Sequence, residues 1–381
     1  MTSLSMKSRV LFAALATCAL PTTAAIAQDS QGIQPLEWNF RDHTAIQLYG
    51  QINKGILTFD DGDESTSYGL VDNDNSSTRL GITSTTNFDS GWEMFSNIEF
   101  EYQPHASNTV NQLDKNGADY GFDKTNFRKA EIAFSSERVG KFWLGQGSMA
   151  SDGTAETDLS GTGVIAYSSV SDIGGGLFRE DDGTLSNVTT SGAYSNLDGL
   201  GRKMRVRYDT PTFSGFTLKA SYGQDTLNDD DDSLYDIAAT YAADYNTVEV
   251  AASVGYARDE GDDADILSAS FSTLHTPTGL SFTLAGGQND ADVNASYGYA
   301  KLGLEREFFA VGSTAFSVDY YDGQDISSDG ADSTSYAFAM VQNVDNWNSQ
   351  WYVSMRQFEY DDDVSDYEDG LSTMAGLRIK F

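Results

Sequence analysis

Positive charge is what this chain most lacks. Its 381 residues carry 23 Lys and Arg against 57 Asp and Glu, a formal charge of −34. Without a basic face a protein does not grip a phosphate backbone, so nucleic acid is excluded as a partner. The same deficit disfavours attachment to an anionic lipid surface. Proline is scarce, with five residues, and cysteine is limited to Cys18. Beyond the first 30 residues no apolar run approaches the roughly 18 residues of a membrane-spanning helix. The three histidines, His43, His105 and His275, are too scattered for metal-type spacing. No nucleophile elbow, zinc-protease motif or phosphate loop occurs, and Gly174-Gly175-Gly176 lacks the Lys-Ser/Thr that a phosphate loop needs. These absences predict a protein that is not an enzyme and uses no cofactor. In excess are 36 Gly, 21 Phe and 20 Tyr, which favour strands and turns over disorder.

The first 27 residues read as an export signal. Lys7 and Arg9 form a basic start, residues 10–20 are apolar, Pro21 breaks the run, and Ala25-Ile26-Ala27 offers a cleavage site before Gln28. Met6 is an alternative start. Removal of residues 1–27 also removes Cys18, so the exported domain, residues 28–381, holds no disulfide in a compartment that permits them.

The remainder reads as strands. In 94–102, Phe95, Asn97, Glu99 and Glu101 alternate with Met94, Ile98, Phe100 and Tyr102. In 314–320, Thr314, Phe316, Val318 and Tyr320 alternate with Ala315, Ser317 and Asp319. Period two is the signature of a strand with two different faces. Sixteen such segments begin near Thr44, Ser77, Trp92, Asn126, Lys141, Arg202, Phe216, Ser233, Thr247, Asp265, Leu280, Ala295, Ser313, Ser333, Trp347 and Leu371. Most run about 9–14 residues, the length of a tilted bilayer crossing. Short turns at 87–91, 136–140, 210–215, 244–246, 276–279 and 345–346 alternate with long acidic connections at 59–76, 225–232, 259–265, 289–292, 322–332 and 361–369. The six long ones hold 28 of the 57 acids and no Lys or Arg. Short turns on one rim and long loops on the other define an all-β, sixteen-stranded antiparallel transmembrane β-barrel. Residues 148–200 break the rhythm. A lumen this wide is not filled by wall side chains, so this long third loop is expected to fold inward and narrow it.

Fragments along nearly the whole chain carry a family resemblance. Leu48-Tyr49-Gly50-Gln51, Ser77-Thr78-Arg79-Leu80-Gly81, the Phe88-Asp89-Ser90-Gly91-Trp92 turn and Ile98-Glu99-Phe100-Glu101-Tyr102 come first. Phe127-Arg128-Lys129-Ala130, Gly140 to Gln146, Arg205 to Pro211 and the terminal Gly376-Leu377-Arg378-Ile379-Lys380-Phe381 follow in order. Together they resemble the general diffusion porins of Gram-negative outer membranes. The resemblance implies a homotrimer of water-filled channels for ions and small hydrophilic solutes, with Phe381 read by the barrel-insertion machinery. It also implies a pore constriction in which wall cations face loop acids. By position the wall cations are Arg79, Arg128 and Arg202, with Arg205 or Arg207 as further candidates. Gln51 stands where many members have lysine. The loop acids are Asp152, Glu156 and Asp158.

Opposed charges across a narrow lumen create a transverse field that orders water and favours polar solutes, while rings of charge tune ion preference. Acidic outer loops raise cation concentration locally, so a weak cation preference is expected. Strict alternation around Arg128 would turn Lys129 and Glu131 outward, where charge at the lipid midplane costs about 2–4 kcal/mol. That predicts a strand facing a neighbouring subunit. Trp92, Tyr102, Trp347, Trp351 and Phe381 are candidate girdle aromatics. The acidic runs at 229–232 and 361–363 are candidates for divalent bridging to lipopolysaccharide, although neither fits a twelve-residue calcium loop. Two other classes compete. An outer-membrane barrel enzyme needs a Ser/His pair at one rim, from His105 or His275. A secreted β-rich binding or adhesion protein leaves Phe381 without a role.

Overall fold

The computed structural model describes residues 35–40, 43–228, 231–291 and 293–381. The export-signal reading lies outside the described residues, as do Asp229 and Asp230 of one acidic run. Sixteen long strands form a closed antiparallel barrel. The first eight are β1 Thr44–Asp60, β2 Arg79–Asn87, β3 Glu93–Glu101, β4 Phe127–Ser136, β5 Gly140–Ser148, β6 Arg202–Asp209, β7 Phe216–Gln224 and β8 Leu234–Asp244. The rest are β9 Val248–Asp259, β10 Ala264–His275, β11 Leu280–Asn289, β12 Ala295–Phe309, β13 Gly312–Gln324, β14 Asp332–Val344, β15 Ser349–Asp361 and β16 Gly370–Lys380. Each pairs with its predecessor, and β16 pairs with β1, so no barrel edge is left open. Phe381 exchanges two backbone hydrogen bonds with Gly50 at this seam (2.9 and 3.0 Å). Two short strands extend β1. Leu36–Phe40 pairs with its first residues, and Ser65–Asp72 pairs with its last.

The two faces of the wall differ as period two requires. Along β14, Ser333, Ser335, Ala337, Ala339 and Val341 are buried, while Tyr336 and Phe338 are exposed. The same split puts Ile52, Ile56, Leu80, Ile82, Leu144, Val206, Ile237 and Leu302 on the outer surface. An exposed apolar band round a closed barrel is what hydrocarbon contacts. Trp347 and Trp351 are exposed as well, as girdle aromatics would be.

The small inward residues have partners. Residues 149–196 run against the inner wall, and each strand from β7 to β16 supplies a hydrogen bond to them. Ser221 accepts from the Ala150 N–H (2.8 Å), and Asp236 from the Ser151 N–H (2.7 Å). Ser270 and Ser272 accept from the Thr157 and Leu159 N–H groups (3.0 and 2.9 Å). Thr157 meets Ser253, Thr162 meets Ser317, and Ser333 donates to the Ala193 carbonyl. Tyr194 donates to the carbonyls of Thr334 (2.9 Å) and Glu359 (2.7 Å). Lys301, whose side chain is fully buried, bonds Asp158 (2.7 Å) and the Ala166 carbonyl (2.6 Å).

Apolar packing completes the seat. Val164, Ile165, Ile173, Phe178 and Tyr194 share one buried cluster with Leu57, Phe59, Tyr321, Val341, Phe358 and Met374 of the wall. A hairpin within the segment, Leu177–Arg179 with Leu185–Thr189, reaches the outer connections. Arg179 pairs with Asp61 (2.9 Å), and its carbonyl accepts from the Glu368 N–H (2.8 Å). The lumen is therefore filled on the side from β12 round to β1 and lies open toward β2–β6.

Candidate functional site: a charged cavity in the lumen

On that open side lies a cavity of about 620 Å³. Arg79, Arg128 and Arg202 line it from the wall, and Asp152, Glu156, Asp172 and Asp198 line it from the long segment. Asp74, from the turn before β2, joins them. Five of the seven residues chosen from the sequence thus meet in one space.

The wall side is a network. The Arg128 Nε donates to Glu99 (2.9 Å), and its Nη1 bonds Glu101 and Ser77. Tyr49 also donates to Glu99 (2.7 Å), and Arg79 stands 4.0 Å from the same carboxylate. Glu99 and Glu101 thus offset part of the arginine charge, a local pairing that the sequence reading did not include. The expected outward turn of Lys129 and Glu131 is not found. Glu99 pairs with Lys129 and Phe100 with Phe127, leaving Arg128 as the extra residue of a β-bulge. One extra residue resets the alternation. Arg128 and Glu131 both face inward, and Glu131 bonds Arg205 (2.5 Å) instead of meeting lipid. Alternation therefore gives no reason to expect a subunit contact at this strand. Gly147 makes room for the Glu131–Arg205 pair, since a Cβ there would stand 2.2 Å from the Glu131 carboxylate.

The segment side is a crowd of acids. Burial, with Asp172 nearby, pushes Asp74 up to about 7. Burial, reinforced by Asp198 and Asp152, pushes Glu156 up to about 8. Burial raises Asp172 and Asp198 to about 6 each. Desolvation and like charge both disfavour the ionised forms. These groups therefore change charge around neutrality, facing arginines that stay cationic.

Two of the chosen residues stand elsewhere. Asp158 does not line the cavity; it is the buried partner of Lys301. Burial opposes its charge, but the ammonium holds it below the usual carboxylate range. Gln51 sits behind the wall of the cavity, donating to Ser76 and Ser77 (2.7–3.0 Å). Arg205 and Arg207 brace the start of the long segment through the carbonyls of Ser148 and Met149. Arg378, not chosen from the sequence, pairs across from Asn53 and bonds Ser76 (2.6 Å) beside the cavity. The alternation of β16, read back from its buried Met374, carried that signal.

Residues 12–363 match a family model described as Gram-negative porin. The chain belongs to the Gram-negative porins. Solved structures share its barrel. An anion-selective porin from Comamonas acidovorans aligns over 89% of this porin and 100% of its own length, at 16% identity and TM-score 0.60. OmpT of Vibrio cholerae covers 90% and 99%, at 13% identity and 0.58. Salmonella typhi OmpF, in complex with daunomycin, covers 91% and 100%, at 13% identity and 0.55. No curated protein matches the chain in sequence. The porin is an outer-membrane channel protein.

Proposed function

We propose that ions and small hydrophilic solutes cross this porin through the cavity between Arg79, Arg128 and Arg202 on the wall and Asp152, Glu156, Asp172 and Asp198 on the long segment. The observation that carries this reading is the opposition of the two charge sets across one open space. The two charge sets line the same cavity of about 620 Å³, so a field crosses it, and a solute that cannot align its dipole loses water without compensation. Ion preference follows from the balance of charge. Three arginines meet Glu99, Glu101, Asp152 and four acids of variable charge, and the outer rim is acidic. We infer a weak cation preference near neutral pH. The named anion-selective neighbour gives the opposite outcome its weight, and the test separates them.

The assembly is a homotrimer in this reading. One solved neighbour, OmpT of Vibrio cholerae, is described in a trimer form, which supports it. Acidic outer connections such as 361–363 are offered as divalent bridges to lipopolysaccharide. The enzyme alternative has little support. The His275 Nδ1 meets Thr278 (2.7 Å), and the His105 Nε2 has no hydrogen-bond partner among the described residues. Reconstitution of the porin in a planar bilayer under a salt gradient tests the proposal. Current steps in groups of three with a small cation-directed reversal potential are expected. A folded porin that passes no current overturns the channel path, and a clear anion-directed potential overturns the preference.

A further inference from the structure

We propose that Lys141 and Lys219, below the charged cavity on the side of the short turns, form a subsite that briefly holds small carboxylate anions during transit. This rests on the channel reading above.

Strand register places the two lysines in one row. Ser135, Lys141, Asp209, Lys219 and Ala238 are consecutive partners across β4 to β8. The adjacent row is Ala133, Trp143, Arg207, Ser221 and Asp236. Both rows face the lumen, because Ser221 and Asp236 in the second bond the long segment. Two strand spacings separate the lysine backbones, about 10 Å.

The neighbouring acids are already engaged. Asp209 accepts from the Arg207 Nε (2.7 Å), the Arg207 Nη2 (3.1 Å) and the Trp143 Nε1 (3.0 Å). Asp236 accepts from the Ser151 N–H and hydroxyl (2.7 and 2.6 Å). Glu131 is taken by Arg205, and Glu93, next in the lysine row beyond Ser135, accepts from the Ser135 hydroxyl (3.5 Å). Among the described residues, neither Lys141 nor Lys219 has a carboxylate within ion-pair distance.

Lys141 is held another way. Its ammonium lies 4.0 Å from the centre of the Trp143 ring and 4.9 Å from that of Phe95, and the two rings meet edge to face at 5.9 Å. Ring faces fix a cation in place without cancelling its charge. Both lysines are half-buried on the lumen wall. The result is two ammonium groups outside any ion pair among the described residues, each with donors free for an oxygen anion. A carboxylate suits them better than chloride, since its two oxygens accept charge-assisted hydrogen bonds. Open access to water keeps the hold weak, as a conducting pore requires.

The test measures reversal potentials of the full porin in planar bilayers under potassium acetate and potassium chloride gradients. Wild type is compared with K141M/K219M, with each single variant, and with K115M, which removes an exposed outer-loop charge. The acetate-to-potassium permeability ratio is expected to fall about threefold per lysine removed, with a smaller fall for chloride, and to stay unchanged in K115M. W143L is expected to act in the same direction as K141M. If the double variant does not assemble, the single variants carry the comparison. A conducting porin whose acetate ratio is the same in all variants overturns the subsite and leaves the channel reading standing. A wild-type porin that passes no current overturns the channel reading itself.

Discussion

Acidification is expected to turn the porin from cation toward anion preference without closing it. Asp74, Glu156, Asp172 and Asp198 have values raised to about 6–8. A raised carboxyl is neutral below its value and charged above it, so falling pH removes negative charge from the segment side. Arg79, Arg128 and Arg202 on the wall remain cationic throughout. For an ion about 6 Å away in water, one such charge is worth roughly 0.7 kcal/mol. Screening at about 0.1 M salt halves this to roughly 0.35 kcal/mol. Four charges therefore add to about 1.4 kcal/mol, or about tenfold in the relative partition of a monovalent ion. The assay is the reversal potential in a fixed potassium chloride gradient, stepped from about pH 9 to about pH 5, a window that brackets those four groups. The potential is expected to move steadily in the anion direction, and E156Q/D198N is expected to flatten roughly half of that movement. A potential independent of pH in wild type, or a full response in E156Q/D198N, refutes the reasoning.

Other expectations follow from the same geometry. K301M leaves Asp158 buried without its ammonium, at a cost of about 3–5 kcal/mol, seen as a lower unfolding temperature and noisier single-channel current. S270V removes the acceptor for the Thr157 N–H and the donor to the Thr154 carbonyl, at about 1–3 kcal/mol, and is expected to broaden the distribution of conductance levels. R128A frees Glu99 and Glu101, so conductance and cation preference are expected to rise together in the reversal-potential assay. Deletion of Phe381 removes the backbone pair with Gly50 at the closing seam, and is expected to slow barrel assembly, measured by heat-modifiable migration over time.

Much of the architecture could be read before any coordinates. All sixteen barrel strands begin within two residues of the positions read from alternation. The reason is physical, because a wall with lipid on one side and a polar seat on the other imposes period two on every strand. Arg79, Arg128, Arg202, Asp152 and Glu156 were named through the family resemblance, and all five line one cavity. Legibility failed where one residue changes the count. The bulge at Arg128 leaves no mark in composition, and it moved Lys129 and Glu131 to the other face. It also failed where a partner is remote in sequence. Nothing local to Asp158 announces Lys301, which is 143 residues away. The short strand Leu36–Phe40 was missed although Pro35 precedes it and Leu36, Trp38 and Phe40 alternate with Glu37 and Asn39, because five residues are too few for a bilayer crossing.

The serines of β10, β13 and β14 have a consequence for engineering. They present hydroxyls at the heights where the backbone of residues 149–196 and the Thr162 hydroxyl need them, so the path of that segment is encoded in strands more than 60 residues downstream. The segment is therefore not a portable module. A chimera that transplants it alone into another barrel would lose its anchorage, whereas one that carries residues 149–196 together with strands β7 to β16 would keep the aperture's shape. Diversification of such a pore is a matter of paired change, one partner on the segment and the other on a distant wall.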